Sequence, residues 1–175
     1  MERIMSMFRD NTAFRVIAAV AALFCGAGIA PGKASDAHRD GFTPYARVDR
    51  LDGTYRMMLI DNRSLEALGR GEAADRATIL MESFSGDDLT TVFAKTREGS
   101  RWLYGSIQPG QTILQFRPGP SCATCHRVAG AGGNFTQAML ERFVKTSTLQ
   151  TTFCSRSGRS PCEPEVYGQS SELSD

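Results

Sequence analysis

Along the middle of the chain apolar residues fall in short runs of strand composition bounded by turn residues. Thr54 to Ile60 (TYRMMLI) has strand composition. Asp61 or Asn62 then caps a short helix through Leu65 and Leu68, which Gly69 and Gly71 close. Ala77 to Phe84 (ATILMESF) reads as the next strand and Gly86-Asp87-Asp88 as a turn. From Leu89 to Phe116, TTVFAK and RWLYGSI flank a turn at Thr96 to Ser100, and TILQF follows Pro109-Gly110, making a meander that Pro118-Gly119-Pro120 stops. After a glycine joint at Gly130 to Gly133 the pattern becomes helical. Phe135 to Val144 reads as an amphipathic helix with Phe135, Met139, Leu140 and Phe143 on one side. The fold class expected is α+β, a mainly antiparallel β-sheet with a few short helices and no internal repeat.

The two ends read differently. Arg3, Arg9 and Arg15 precede an apolar run from Val16 to Ile29, and small residues follow at Ala34, Ser35 and Ala37, the layout of a cleaved secretory signal. The run is shorter than the ~20 residues that span a bilayer, so no membrane span is expected after cleavage. Cys25 suggests a lipid anchor, but the bulky Leu23 and Phe24 before it argue otherwise. The expected layout is a signal peptide at 1–34, a flexible lead-in at 35–44, one domain at 45–168 and a disordered tail at 169–175. Export to the periplasm follows from the leader.

Removing the leader takes four of the 20 basic residues and two of the 19 acidic ones, leaving 16 and 17. Neither a basic stripe nor a charge block is present, which argues against nucleic acid as a partner.

Chemistry concentrates at Cys122-Ala123-Thr124-Cys125-His126. The spacing C-x-x-C-H is that of covalent c-type haem attachment: the sulfurs of Cys122 and Cys125 form thioethers with the porphyrin rim, and the His126 imidazole is the metal ligand beneath it. One covalently attached haem c per chain is expected. A zinc site would want a second ligand pair at similar spacing, and Cys154 and Cys162 are not so arranged. A thioredoxin-like redox pair would want an early βαβ setting. With Cys25 removed and two cysteines on the haem, Cys154 and Cys162 are the thiols left in an oxidising compartment, and a disulfide between them is expected, with two free thiols as the alternative.

Strands first and haem last separates this chain from helical cytochromes. It resembles the cytochrome P-460 family, which includes the β-sheet cytochromes c′, from about Tyr45 to Phe143. The resemblance rests on Gly53-Thr54-Tyr55-Arg56 entering a strand, the Asn62 helix, Thr78-Ile79-Leu80, the hairpin from Phe93-Ala94-Lys95 to Trp102-Leu103-Tyr104, and CATCH followed by Asn134-Phe135-Thr136. It implies a small antiparallel sheet packed on one haem, often as a homodimer, with the distal side open to a small nitrogen-oxide ligand. Hydroxylamine-oxidising members carry a haem-linking lysine in a strand similar to TILMES. Here that position falls on Glu82, or on Met81 if the register slips, and neither can form the link. The departure moves the reading away from a hydroxylamine oxidoreductase and towards nitric oxide binding.

Candidates for the distal pocket are then Met81, Phe84 and Phe93, with Phe84 and Phe93 as an apolar cap. Glu82 and Arg56 are the acid-base and charge candidates: a carboxylate that moves protons, and a cation that meets a haem propionate or the distal ligand. Arg127 faces a propionate or solvent, and Lys95 matches a family lysine of no derived role. A sixth ligand would make the chain an electron carrier with a redox partner protein. His38, Met57, Met58, Met81 and Met139 are the side chains able to supply one, and Met81 is the foremost.

Overall fold

The computed structural model describes residues 36–172 except 75, 100, 108–114 and 130–132. The expected leader with Cys25, most of the TILQF strand, most of the glycine joint and the last three residues lie outside the described residues.

The described strands form one seven-stranded sheet in the order β5-β4-β3-β2-β1-β6-β7. Strands β1 (Phe42–Arg50), β2 (Thr54–Asp61), β3 (Thr78–Ser85), β4 (Asp88–Glu98) and β5 (Arg101–Ile107) pair antiparallel as successive neighbours. The exception is β6 (Gln150–Cys154), which returns parallel to β1 before β7 (Ser171–Glu172) pairs antiparallel on its far side. Parallel pairing needs a long crossover. Helices α2 (Pro120–His126) and α3 (Gln137–Thr146) lie in the stretch between β5 and β6.

Local chemistry explains most element ends. Asp61 caps α1 (Asn62–Gly69), accepting from the Ser64 amide at 2.9 Å with one oxygen and from the Thr78 amide at 2.7 Å with the other. One carboxylate thus starts the helix and ties it to the strand that follows. Pro44, which has no amide to donate, stands where the β1–β2 register shifts, and the bulge lets Tyr45 and Ala46 both be buried. After β6, the short helix α4 (Pro164–Gly168) places Tyr167 in the core.

The sheet buries both faces. On one face Ala46, Val48, Met58, Ile60 and Ile79 meet Met139 and Leu140 of α3, together with Tyr167. On the other, Leu59, Leu80, Val92, Ala94 and Ile107 cluster with Phe42, Met57, Leu89 and Phe116 against them. Among the described residues no helix is long and apolar enough to cross a membrane.

Both segments expected to be loose carry structure. Asp36–Arg39 forms a 3-10 turn and β1 begins at Phe42, inside the expected lead-in. Side chains of that turn dock on the sheet: His38 Nε2 lies 2.6 Å from Glu82 Oε1, and Arg39 donates to both Glu82 oxygens at 2.6 and 2.7 Å. Strand β7 likewise falls within the expected tail. Cys154 and Cys162 stand at disulfide distance, with Cα atoms 5.8 Å apart, and close the loop 155–161.

Candidate functional site

The C-x-x-C-H run forms α2, which Pro120 opens at its first turn after Gly119. The approach to it is held by backbone hydrogen bonds between Tyr104 of β5 and Arg117, at 2.8 and 2.9 Å. Gly119 packs closely there, since a β-carbon would sit 3.1 Å from the Tyr104 ring and 3.2 Å from the Cys122 sulfur, and those side chains would have to shift. Cys122 and Cys125 are exposed free thiols on this helix.

His126 ends the helix half-buried, its ring between Tyr104 and Phe135 at 5.4 Å from each centroid. Its Nδ1 stands 2.7 Å from the Gly133 carbonyl oxygen, a contact that assigns the ring proton to Nδ1 and leaves Nε2 as the free lone pair. Burial pushes the imidazole pKa down and the Lys95 charge lowers it further, while the Gly133 carbonyl opposes them. The neutral, ligating form is favoured.

Gly133 also receives the Lys95 ammonium at 2.6 Å, and that ammonium lies 4.6 Å from the centre of the Trp102 ring. Burial drives the Lys95 pKa down to about 7. Gly133 itself adopts φ +57°, the left-handed region that favours glycine. The following turn is anchored in the core: the Tyr45 hydroxyl meets the Thr136 hydroxyl at 2.7 Å, and Thr136 donates to Asn134 Oδ1 at 3.2 Å.

A cavity of about 160 Å³, open on one side, lies between this turn and the sheet. Cross-strand register orders its floor. Lys95 pairs with Ile79 and Tyr104 on one rung, and Phe93, Met81, Met58 and Ala46 pair in series on the next. Arg56 pairs with Val48 on the third, and Arg50 lies one residue pair beyond. His126 and Cys125 line the cavity together with Ile79, Met81, Phe93, Arg50, Arg56 and Arg159. No Asp or Glu among the described residues lines it.

Of the sequence candidates, the fold therefore brings Arg56, Met81, Phe93, Cys125 and His126 to one cavity. Glu82 and Phe84 do not join them. Side chains alternate along a strand, so these two face the other side of the sheet from Met81. Glu82 pairs with Met57 and Val92, is fully buried and is occupied by His38 and Arg39. Phe84 stacks on Tyr55 at 4.6 Å between centroids. Both are corrections to the distal-pocket reading. Of the sixth-ligand candidates, His38 and Met57 belong to that same opposite side, and Met139 is a fully buried core residue under α3. Met58 and Met81 line the cavity. Arg127 donates to the Thr124 hydroxyl at 3.0 Å.

Sequence reasoning missed Arg50, Arg159, Tyr104, Phe135 and Gly133. Arg50 sits at the end of a strand whose alternation Pro44 and the bulge disguise, and Arg159 lies in a loop without periodicity. Searches of protein-family models, curated proteins and solved structures returned no match to this chain.

Proposed function

We propose that this chain is an exported monohaem protein that carries one haem c on Cys122 and Cys125, with His126 as proximal ligand, and binds nitric oxide or a related small nitrogen oxide on the open face. One observation carries the reading: His126 donates its Nδ1–H to the Gly133 carbonyl and keeps its other nitrogen free, in a C-x-x-C-H helix beside a cavity with an apolar wall at Ile79, Met81 and Phe93. The residues present fit the group. Two free thiols lie on the helix that carries the imidazole, and the cavity adds a buried cation, Arg50, whose Nε has no partner among the described residues.

Bound there, the group supplies a metal centre that coordinates small nitrogen oxides. Everything else falls to the chain. Gly133 orients the imidazole and raises its basicity as a ligand by accepting a hydrogen bond from Nδ1–H. Tyr104 and Phe135 hold the ring between them and limit its rotation. Ile79, Met81 and Phe93 form an apolar wall that excludes water and disfavours polar ligands. Among the described residues no carboxylate lines the cavity, and the cavity group that titrates at about 7 is Lys95, held on the Gly133 carbonyl.

A second reading follows from Met81, because it lines the cavity and a thioether with histidine is an electron-transfer ligand pair. One measurement separates them. The ferrous protein, matured in a host able to attach haem c, is expected to show high-spin bands that shift on adding CO or NO. Low-spin bands indifferent to CO would instead make the chain an electron carrier. Colourless mature protein, or pigment that acidified acetone extracts, would remove the covalent haem and both readings with it.

A further inference from the structure

The rungs of the cavity floor beyond that of Lys95 and Tyr104 carry a cluster of positive charge. Arg50 is 3 % exposed; its Nη2 donates to the Ser160 carbonyl at 2.8 Å, its Nη1 lies 3.9 Å from the Cys162 sulfur, and its Nε has no partner among the described residues. Arg56 donates through Nη2 to the Gly158 carbonyl and sets Nη1 3.9 Å from the Met81 sulfur. Arg159 comes from the same loop and lies 5.5 Å from the Phe93 ring centre. The neighbouring Asp52 is already committed, accepting from the Thr54 hydroxyl at 2.6 Å and the Gly158 amide at 2.8 Å.

We infer that Arg50, Arg56 and Arg159 form a carboxylate receptor assembled by the Cys154–Cys162 loop, and that its occupant is the propionate edge of the haem. The inference rests on the haem reading above. Arg50 is buried with its Nε unpartnered among the described residues, Arg56 is half-buried and Arg159 exposed, with Asp52 the carboxylate that faces Arg50 and Arg56; a planar fork of N–H donors matches a two-oxygen anion. Burial, with the charges of Arg50 and Arg159 added to it, pushes the Arg56 pKa down against the opposing pull of Tyr167 and Asp52, and a further anion would relieve that crowding.

Position selects the source. Arg50 on β1 is three strand spacings from Lys95 on β4, about 14 Å, and lies at the opposite corner of the floor from Lys95 and Tyr104. A haem held by thioethers at one rim carries its two carboxylates at the other. The loop completes the receptor, since Gly158 and Ser160 carbonyls aim two of the arginines and Arg159 is the third. The disulfide that closes this loop therefore positions the receptor without touching its occupant.

The experiment is an infrared titration of the haem carboxyls in the holoprotein. It compares wild type, Arg159→Gln, Arg56→Gln and the double variant Cys154→Ser/Cys162→Ser. Arg159 is exposed, so its variant keeps the folded core. Each arginine variant is expected to raise a propionate pKa by about one unit, tenfold in proton affinity. The double variant is expected to raise it in the same direction. Sodium acetate, a free carboxylate, is expected to show no saturable effect on that titration in wild type.

Coloured protein whose carboxyl titration is the same in all four forms overturns the assignment alone. So does saturable acetate binding that Arg56→Gln abolishes while the propionates are unmoved, because the receptor would then serve a free anion. A chain without covalent haem overturns the haem reading itself, and this assignment with it.

Discussion

Replacing Glu82 with glutamine separates two roles for the same residue, distal acid and structural anchor. Glu82 is fully buried and accepts three charge-assisted hydrogen bonds, one from His38 in its donor tautomer and two from Arg39 at 2.6 and 2.7 Å. Glutamine keeps the shape but loses the charge, and one of its two polar ends would face donors with another donor. Breaking a buried pair costs about 3–5 kcal/mol when the leftover charge stays buried. Arg39 is 40 % exposed and can rehydrate, so about 2 kcal/mol is expected instead. At about 3 °C per kcal/mol for a domain near this size, melting falls by about 6 °C. Thermal unfolding followed by far-UV circular dichroism reads that loss, and ferrous–CO and ferrous–NO spectra of the same protein read the cavity. Destabilisation with unchanged spectra is expected. A variant as stable as wild type, or one with altered ligand spectra, would refute the placement of Glu82 on the opposite face.

Three further outcomes follow from the same geometry. Lys95 has its pKa lowered by burial from 10.5 to about 7, so between those values the unfolded chain binds more protons than the folded one. Its contribution to stability is therefore smallest below pH 7 and grows with pH by about 1.4 kcal/mol per unit up to the unfolded value. Urea midpoints of wild type should rise relative to Lys95→Met across that window, and parallel profiles would contradict it. Opening the Cys154–Cys162 link in the Cys154→Ser/Cys162→Ser variant frees a loop with a sequence separation of 8. The entropy lost to the unfolded chain corresponds to about 2.5 kcal/mol, seen as an earlier urea midpoint than that of unreduced wild type. Gly119→Ala places a β-carbon within 3.2 Å of both the Tyr104 ring and the Cys122 sulfur. The fraction of chain carrying covalent haem, measured by mass under denaturing conditions, should fall at least severalfold, and full attachment would show that this approach is not tight.

The site couples two layers that contribute differently. The helix and the Gly133 turn fix the imidazole through contacts local in sequence, seven residues apart. The cavity wall and its far end come from β1 to β4 and the disulfide loop, up to about a hundred residues away, as in the contact of Arg56 with Gly158.

Residue order alone determined what depends on neighbours along the chain. The strands expected at Thr54 to Ile60 and Ala77 to Phe84, the Asp61-capped helix and the β4–β5 hairpin follow from strand composition, cap chemistry and glycine turns, and all are present, the two strands at Thr54–Asp61 and Thr78–Ser85. The pairing of Cys154 with Cys162 followed from counting thiols, and the CATCH spacing marked the one stretch dense in ligand chemistry. Only the tertiary structure decided which side of each strand faces the cavity. Alternation states that Met81 lies opposite Glu82 and Phe84, but a sheet buried on both faces gives no signal for the one that bears the site. Long-range pairing was equally hidden. β6 joins β1 across about a hundred residues, and Arg50, Arg56 and Arg159 are ordinary surface-type residues until that return brings the loop over them. Periodicity records a residue's relation to its near neighbours, whereas a site is made by the chain's crossings, which no local pattern encodes.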